Sequence, residues 1–195
     1  MARDGDEIRP SVWAGGPGEK EPILRPPEPG DMGWIVERHG ALYAREYGFD
    51  VRFEGLVAEI VARFAGSHDP ARERCWIAEL GGQRVGSVLL ARRTEDEAQL
   101  RLLLVEPEAR GRGLGMRLVD EVLRFAADSG YRRISLWTND VLADARRLYE
   151  RAGFRLVSEE PNERFGSGLT AQTWARDLPL APVRRNPNVR RPGQG

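Results

Sequence analysis

The stretch LLLVEPEARGRGLGM, residues 102–116, decides the fold. Its first four residues are apolar, which is typical of a strand that is covered on both faces. Pro107 ends that strand, and Gly113 opens a helix whose apolar stripe consists of Leu114, Leu118, Val122 and Phe125. A buried strand that passes through a glycine-rich turn into an amphipathic helix indicates a domain that combines helices with a sheet.

The turn between this strand and this helix has the composition of an anion site. Gly111, Gly113 and Gly115 allow backbone conformations that side chains hinder, and they let a ligand approach the chain closely. The N–H groups of the turn and of the first helical residues then converge where the helix dipole is positive. Arg110 and Arg112 add full charges. The sequence therefore predicts a site for a pyrophosphate group.

Glycine-rich turns also serve other ligands, or none. The stretch lacks the lysine and hydroxyl of G-x-x-x-x-G-K-[ST], which excludes a nucleoside triphosphate loop of that type. A dinucleotide site needs its glycines after the first strand of a parallel sheet, whereas this turn follows the fourth predicted strand. A glycine-rich loop that binds no ligand stays the alternative.

Periodicity and turn residues predict one α/β (α+β) domain with a mixed sheet, in the order β-α-α-β-β-β-α-β-α-β-β. Asp31 is expected to cap the first helix, and Gly48 is expected to end it. The predicted strands are 23–25, 74–80, 84–92, 98–105, 133–137, 154–157 and 169–177, and the predicted helices are 31–47, 51–64, the one from 113, and 140–151.

The two ends of the chain differ in composition from the part between them. Residues 1–21 and 179–195 are rich in glycine, proline and charge, and they are expected to form flexible tails because they cannot build a core. The predicted folded domain is therefore residues 22–178. This length fits one ordinary domain.

The composition limits which binding partners, metal sites and cellular location are expected. The 30 basic and 30 acidic residues give a net charge of +0, so no nucleic acid or membrane partner is expected. With one cysteine and two histidines, no metal site is expected, and Cys75 is predicted to be a buried thiol. The sequence shows no run of about 18 apolar residues and no signal-peptide layout, so a cytoplasmic protein is expected.

Two motifs carry a resemblance to a known family. Residues 110–115, RGRGLG, match the R/Q-x-x-G-x-G/A motif of the GNAT acetyltransferases, and Val105 and Pro107 match the V-x-P that precedes it. Residues 149–154, YERAGF, match the family's Y-x-x-x-G-F ending. Residues 22–178 resemble especially the acetyltransferase half of bacterial regulators that also carry a MarR-type winged helix. Only a polar tail precedes Ile23, so no such DNA-binding half is expected here.

The resemblance implies a fold and a cofactor site. The GNAT fold has a mostly antiparallel sheet of six to seven strands with about four helices, splayed between its fourth and fifth strands. Acetyl-CoA inserts at the splay. Asn139 is expected either to bind this cofactor or to cap the helix that follows it. The residues implied to bind acetyl-CoA are Leu103, Leu104, Val105, Arg110, Gly111, Arg112, Gly113, Leu114, Gly115, Met116 and Asn139.

The resemblance also implies catalytic residues. Tyr149 matches the family's general acid, which protonates the leaving thiolate, although it could instead be a core residue. Gln99 stands where histone-type members have a glutamate base, so Glu46 is the candidate base or amine anchor, with a solvated ion pair as its alternative. His39, Tyr43, Glu46 and Tyr47 share one helical face that borders the acceptor in this fold. His39, Tyr43, Tyr47 and Trp137 are the candidate substrate-binding residues, with a place in the core as the alternative for Trp137.

These motifs predict an N-acetyltransferase. It would transfer the acetyl group of acetyl-CoA to a primary amine of a small molecule or protein by direct attack. The alternative is a non-catalytic acyl-CoA-binding regulatory module. A homodimer would also suit the resemblance, because late strands in this fold often pair between subunits.

Overall fold

The structure is a computed structural model, and it describes residues 20–179. The predicted tails lie outside the described residues except for residues 20, 21 and 179, so the domain limits 22–178 stay a prediction. Within the described range there are seven strands, four α-helices and one short 3-10 helix. Their bounds are β1 Ile23–Arg25, α1 Asp31–Tyr47, α2 Val51–Ser67, β2 Arg74–Leu80, β3 Gln83–Arg92, β4 Glu97–Val105, the 3-10 helix Pro107–Ala109, α3 Leu114–Asp128, β5 Arg133–Asn139, α4 Ala143–Arg151, β6 Arg155–Asn162 and β7 Leu169–Asp177.

The seven strands form one mixed sheet that opens in its middle. Its order is β1-β2-β3-β4-β5-β7-β6, and β4 and β5 are the parallel pair among otherwise antiparallel neighbours. These two strands pair only from Glu97 with Arg133 to Leu100 with Leu136. Beyond Leu100, β4 continues to Val105 without β5 beside it. The expected fold class, including the splay between the fourth and fifth strands, is confirmed.

A bulge in the β3–β4 pair lies where the splay begins. Leu102 has φ +52°, which a side chain makes unfavourable, and the register of β3 against β4 shifts between Ser87 and Leu89. The Ser87 hydroxyl donates a hydrogen bond to the Leu102 carbonyl at 3.2 Å and helps hold the bulge. The side chains that follow the bulge are thereby redirected as β4 leaves β5.

The sheet is covered by helices on both faces, which explains its long apolar strands. Alternate residues of β2 divide between two cores: Trp76 and Ala78 pack with α3, whereas Cys75 and Ile77 pack with α1 and α2. Cys75 is 1% exposed, and burial raises the pKa of its thiol to about 12, so the predicted buried thiol is confirmed. No helix in the described range is long and apolar enough to cross a bilayer.

The start of α1 differs from its prediction. Gly30, with φ +98°, is the capping residue, and no side chain caps the helix, so the predicted Asp31 cap is wrong. Asp31 is 2% exposed and pairs instead with Arg25 at 2.6 Å, while its carboxylate accepts the Glu28 N–H at 2.6 Å. A buried carboxylate is stable there because these donors replace its water. Gly48 ends the helix with φ +71°, as predicted.

Other element boundaries also differ from their predictions, and two of these differences have a clear cause. Helix α4 begins at Ala143 rather than at residue 140, because the Asp140 carboxylate accepts the Thr170 N–H at 3.0 Å and so keeps Asp140 beside β7. Strand β6 runs on to Asn162, well past the predicted end at residue 157, since it pairs with β7 along its whole length.

Candidate active site

A cleft of about 890 Å³ opens where β4 leaves β5. Its walls come from the end of β4, the turn into α3, the first turn of α3, α4 and the C-terminal half of α1. The structure brings most of the predicted site residues to this cleft. They are Tyr43, Glu46, Tyr47, Leu103, Leu104, Val105, Arg110, Gly111, Gly113, Leu114, Gly115 and Met116.

The glycine-rich turn presents backbone donors to the cleft. Gly111 and Gly113 have φ values of +75° and +86°, a region that favours glycine. No side chain caps α3, so the N–H groups of Leu114, Gly115 and Met116 keep no intrahelical partner. Such N–H groups and the positive end of the helix dipole bind anions. This arrangement fits the predicted pyrophosphate site.

Gly115 also sets how closely α3 and α4 approach. A Cβ atom at this position would lie 3.3 Å from Leu148 Cδ2 and 3.8 Å from Val105 Cγ2. Because Val105 and Leu148 both line the cleft, a side chain at Gly115 would push its walls apart or fill it.

Arg110 and Glu46 bridge the turn to α1. Arg110 binds both carboxylate oxygens of Glu46, at 2.9 and 3.1 Å, and its Nε donates to the Val105 carbonyl at 3.0 Å. Burial acts to lower the pKa of Arg110, but the Glu46 carboxylate outweighs it, so the pKa is raised above its ordinary value. The ion pair expected as the alternative for Glu46 is therefore present.

A second ion pair at this end of β4 was missed from the sequence. Arg38 donates to both oxygens of Glu106, at 2.7 and 2.8 Å, and Glu106 is only 6% exposed. Arg38 and Glu46 lie eight residues apart and so share one face of α1. This spacing could have suggested that both side chains face the same neighbouring segment. It could not identify their partners, which are 64 or more residues away in sequence. Together the two pairs fix α1 against the turn that follows β4.

A smaller cavity of about 90 Å³ adjoins the cleft. Four side chains line both spaces, namely Tyr43, Leu103, Leu142 and Ala145. The smaller cavity is mostly aromatic and aliphatic, with contributions from α1, α2, β4, β5 and α4. Its lining contains four of the five remaining predicted site residues, namely His39, Trp137, Asn139 and Tyr149. The predicted site is thus divided between two adjoining spaces.

Tyr149 lies on α4 and lines the smaller cavity. It is 6% exposed, its ring meets Phe154 edge-on at 5.9 Å, and its hydroxyl has no hydrogen-bond partner within residues 20–179. Burial, with a smaller effect from Tyr43, raises the pKa of Tyr149 well above its usual value. The phenol therefore stays protonated and available as a donor.

His39 is a buried polar group with one nitrogen free of protein contacts. Its Nδ1 lies 2.8 Å from the Ile35 carbonyl, which requires the proton on Nδ1 and leaves Nε2 with a lone pair. Nε2 is buried and has no partner in the described residues. Burial lowers the pKa of His39 to about 4, so the ring is neutral at pH 7. It stacks on Tyr43 with ring centroids 5.7 Å apart.

Asn139 and Trp137, which line the smaller cavity, also contact other side chains. The Asn139 side chain accepts from Asn162 Nδ2 at 2.8 Å, and no side chain caps α4, so the capping alternative for Asn139 is wrong. Trp137 lines the smaller cavity and contacts Phe165 edge-on at 6.0 Å. Arg112 lies outside the lining of both spaces. In the described part of the chain, no group of three metal-ligating side chains comes together.

A family model identifies the chain. The model of the acetyltransferase (GNAT) family matches residues 36–154, more than half of the sequence. The chain belongs to this family. The match covers most of α1, the splay, the glycine-rich turn and the helix that carries Tyr149.

Individual GNAT relatives match over shorter spans. The N-acetylaspartate synthetase of Danio rerio is 39% identical over 85 residues, which cover 43% of this chain and 30% of the relative. N-acetyltransferase 8 of Mus musculus is 36% identical over 111 residues, covering 54% of this chain and 45% of the relative. The chain thus spans less than half the length of these two curated relatives.

Solved GNAT structures share the fold. The spermidine N-acetyltransferase of Vibrio cholerae, solved with CoA and spermine, superposes with a TM-score of 0.63. That superposition covers 81% of this chain and 96% of the other, at 22% identity. At this level of identity the likeness establishes the shared fold.

Proposed function

We propose that this protein is an N-acetyltransferase that transfers the acetyl group of acetyl-CoA to a primary amine by direct attack. One observation carries the proposal: the uncapped start of α3 lines a cleft that opens where β4 leaves β5. Membership of the GNAT family and relatives that are named N-acetyltransferases support it.

The residues of the cleft suit a CoA thioester. The turn from Gly111 to Met116 would hold the pyrophosphate through backbone N–H groups. Leu103 to Val105 lie beyond the last residue pair with β5, so their backbone groups on that side can pair with the pantetheine amides. Acetyl-CoA would supply an activated acyl group there, and a backbone N–H near Val105 would polarise its carbonyl.

Tyr149 is the proposed donor to the leaving sulfur. Its hydroxyl has no partner in the described residues, and it borders the space beside the cleft. The raised pKa keeps the phenol protonated. It also makes full proton transfer to a thiolate costlier than for an exposed tyrosine, by about 1.4 kcal/mol for each unit by which the pKa rises. A hydrogen bond to the departing sulfur is the contribution that this environment favours.

Glu46 is the proposed base or amine anchor, and its contacts limit that role. Both carboxylate oxygens are bound to Arg110, so Glu46 would have to give up one of these bonds to accept a proton. Arg110 borders the proposed pyrophosphate site, which offers its guanidinium a second anion once the cofactor is bound.

Release of free CoA thiol from acetyl-CoA with a panel of amines tests the proposal. We expect amine-dependent release, with calorimetric binding of acetyl-CoA in the micromolar range that is common for enzyme substrates. Binding without turnover on any amine would favour the alternative, a non-catalytic acyl-CoA-binding regulatory module. Neither binding nor turnover would refute both.

We also propose a homodimer that pairs through β6. This strand lies at the sheet edge and exposes Leu156 and Val157, by 43% and 55%. An exposed edge with apolar side chains tends to pair with another strand. Light scattering after size exclusion tests this, and Val157→Glu should give a monomer if β6 is the interface. The cytoplasmic location, the domain limits 22–178 and the lack of nucleic acid, membrane and metal partners stay predictions from sequence.

A further inference from the structure

The guanidinium group of Arg101 has no carboxylate partner among the described residues. It lies on β4 just before the bulge and lines the smaller cavity, where it is the one charged side chain among the described lining residues. Its Nε donates to Gln99 Oε1 at 2.9 Å, and no carboxylate among residues 20–179 forms an ion pair with it. Burial, the nearby Arg63 and, more weakly, Arg93 lower the pKa of Arg101, while Glu59 offsets them only in part.

This arrangement is unfavourable unless a ligand completes it. A half-buried guanidinium loses hydration, and a buried charge is normally paired. Two other part-buried arginines of this protein have such a partner, since Arg25 binds Asp31 and Arg38 binds Glu106. The planar fork of an arginine matches a carboxylate with two parallel hydrogen bonds. Arg101 therefore offers a site for a carboxylate within the cavity.

The same cavity contains an unpartnered acceptor. His39 Nε2 is buried, carries a lone pair because Nδ1 faces the Ile35 carbonyl, and has no partner in the described residues. An amine N–H is a suitable donor to such a nitrogen. The free cation and the free acceptor thus call for a ligand that carries an anion and an amine together.

The size of the cavity limits that ligand. About 90 Å³ is well below the roughly 300–1,000 Å³ of ordinary ligand pockets, so the enclosed part can hold only a small ligand. The amine and the anionic group must therefore be separated by a short linker. A long polycation does not suit this space, because it would place positive charge beside Arg101.

We propose that the acceptor is a small amine that carries a carboxylate, with Arg101 binding the carboxylate and His39 Nε2 accepting a hydrogen bond from the amine. This inference rests on the proposed acetyl transfer and specifies its substrate class. It places the acceptor on the side of Leu103 opposite the cleft, so that the amine approaches the thioester from the smaller cavity.

Matched pairs of acceptors test the proposal. Small amino acids and their carboxamides are compared as acceptors by free-thiol release, because each pair differs in the carboxylate alone. We expect kcat/KM to favour the acid at least tenfold. This preference would oppose intrinsic reactivity, since the more acidic ammonium of an amide gives more neutral amine at pH 7. Arg101→Gln should reduce the preference at least tenfold through KM for the acid, with KM for acetyl-CoA unchanged.

Two further variants separate recognition from general effects. Arg101→Lys keeps the charge but loses the fork, so it should retain part of the preference. Arg93→Gln removes a half-exposed arginine that pairs with Glu97 outside both cavities, and it should leave the preference unchanged. Because Arg93→Gln and Arg101→Gln each remove one positive charge near β4, this control separates the loss of charge from the loss of the carboxylate site.

The results distinguish this inference from the proposed function. Equal rates with acids and amides, a preference for polyamines, or an unchanged preference in a folded Arg101→Gln protein would overturn the carboxylate site while leaving acetyl transfer intact. If Arg101→Gln does not fold, the wild-type preference and the Arg101→Lys variant decide the question. Lack of both acetyl-CoA binding and thiol release would refute the proposed function instead.

Discussion

Replacing His39 by leucine should change how the stability of the protein depends on pH. His39 is completely buried, and burial lowers its pKa from 6.5 to about 4. The unfolded chain therefore binds a proton at this residue between pH 6.5 and pH 4, whereas the folded protein does not. Stability contributed by the neutral ring is fully present above pH 6.5 and is lost as the pH falls through this window.

The size of this loss of stability follows from how far the pKa of His39 is lowered. The difference between 6.5 and about 4 is about 2.5 units, and each unit corresponds to about 1.36 kcal/mol, so the full loss is about 3 kcal/mol below pH 4. At pH 5 the folded ring is still mostly neutral, and the loss relative to pH 7 is about 2 kcal/mol. Leucine has no proton to bind, so this part of the pH dependence should disappear in His39→Leu.

Urea unfolding at pH 7 and pH 5 measures the difference. The free energy of unfolding should fall by about 2 kcal/mol more in the wild type than in His39→Leu. The lost Ile35 contact lowers stability at both pH values and cancels in this comparison. His68→Leu removes the second histidine and controls for the loss of an imidazole. An identical pH dependence in the wild type and His39→Leu would show that the ring is not buried neutral.

Three further substitutions test the proposed site. Tyr149→Phe keeps the buried ring but removes the donor, so single-turnover rates should fall by about 10²-fold or more with calorimetric affinity for acetyl-CoA unchanged; unchanged turnover would remove Tyr149 from the mechanism. Glu46→Gln should abolish the acid limb of the pH–rate profile if Glu46 is the base, and should cost at most about 1 kcal/mol of stability because its pair with Arg110 is partly exposed; an intact profile would place the base elsewhere. Gly115→Val should raise the Kd for acetyl-CoA roughly tenfold or more, about 1.4 kcal/mol, because its Cβ alone lies 3.3 Å from Leu148; unchanged affinity would show that α3 and α4 can move apart freely.

Local chemistry made the fold predictable from sequence. The turn after β4 requires glycines, the helices show their apolar stripes, and Gly48 ends α1 in the left-handed conformation that glycine favours. These features depend on residues close together in the chain. The position of the splay came from the family resemblance, since strand pairing is a property of distant segments.

Long-range contacts account for what the sequence did not show. Asp31 looked like a cap, but Arg25 and Arg84 hold it from neighbouring strands. Asn139 looked like a cap as well, and Asn162 on β6 binds it. The division of the site into two spaces arises from helix packing that no local pattern encodes.

The side chains common to both spaces have a kinetic consequence. Tyr43, Leu103, Leu142 and Ala145 form a partition that each of two substrates would touch from its own side. Such a partition suits a mechanism in which both substrates are bound together in a ternary complex. Double-reciprocal plots of initial rate against acceptor concentration, at several acetyl-CoA concentrations, should then intersect rather than run parallel. It leaves no need for an acylated cysteine, because Cys75, the single cysteine of the chain, lies on β2 and is buried in the core.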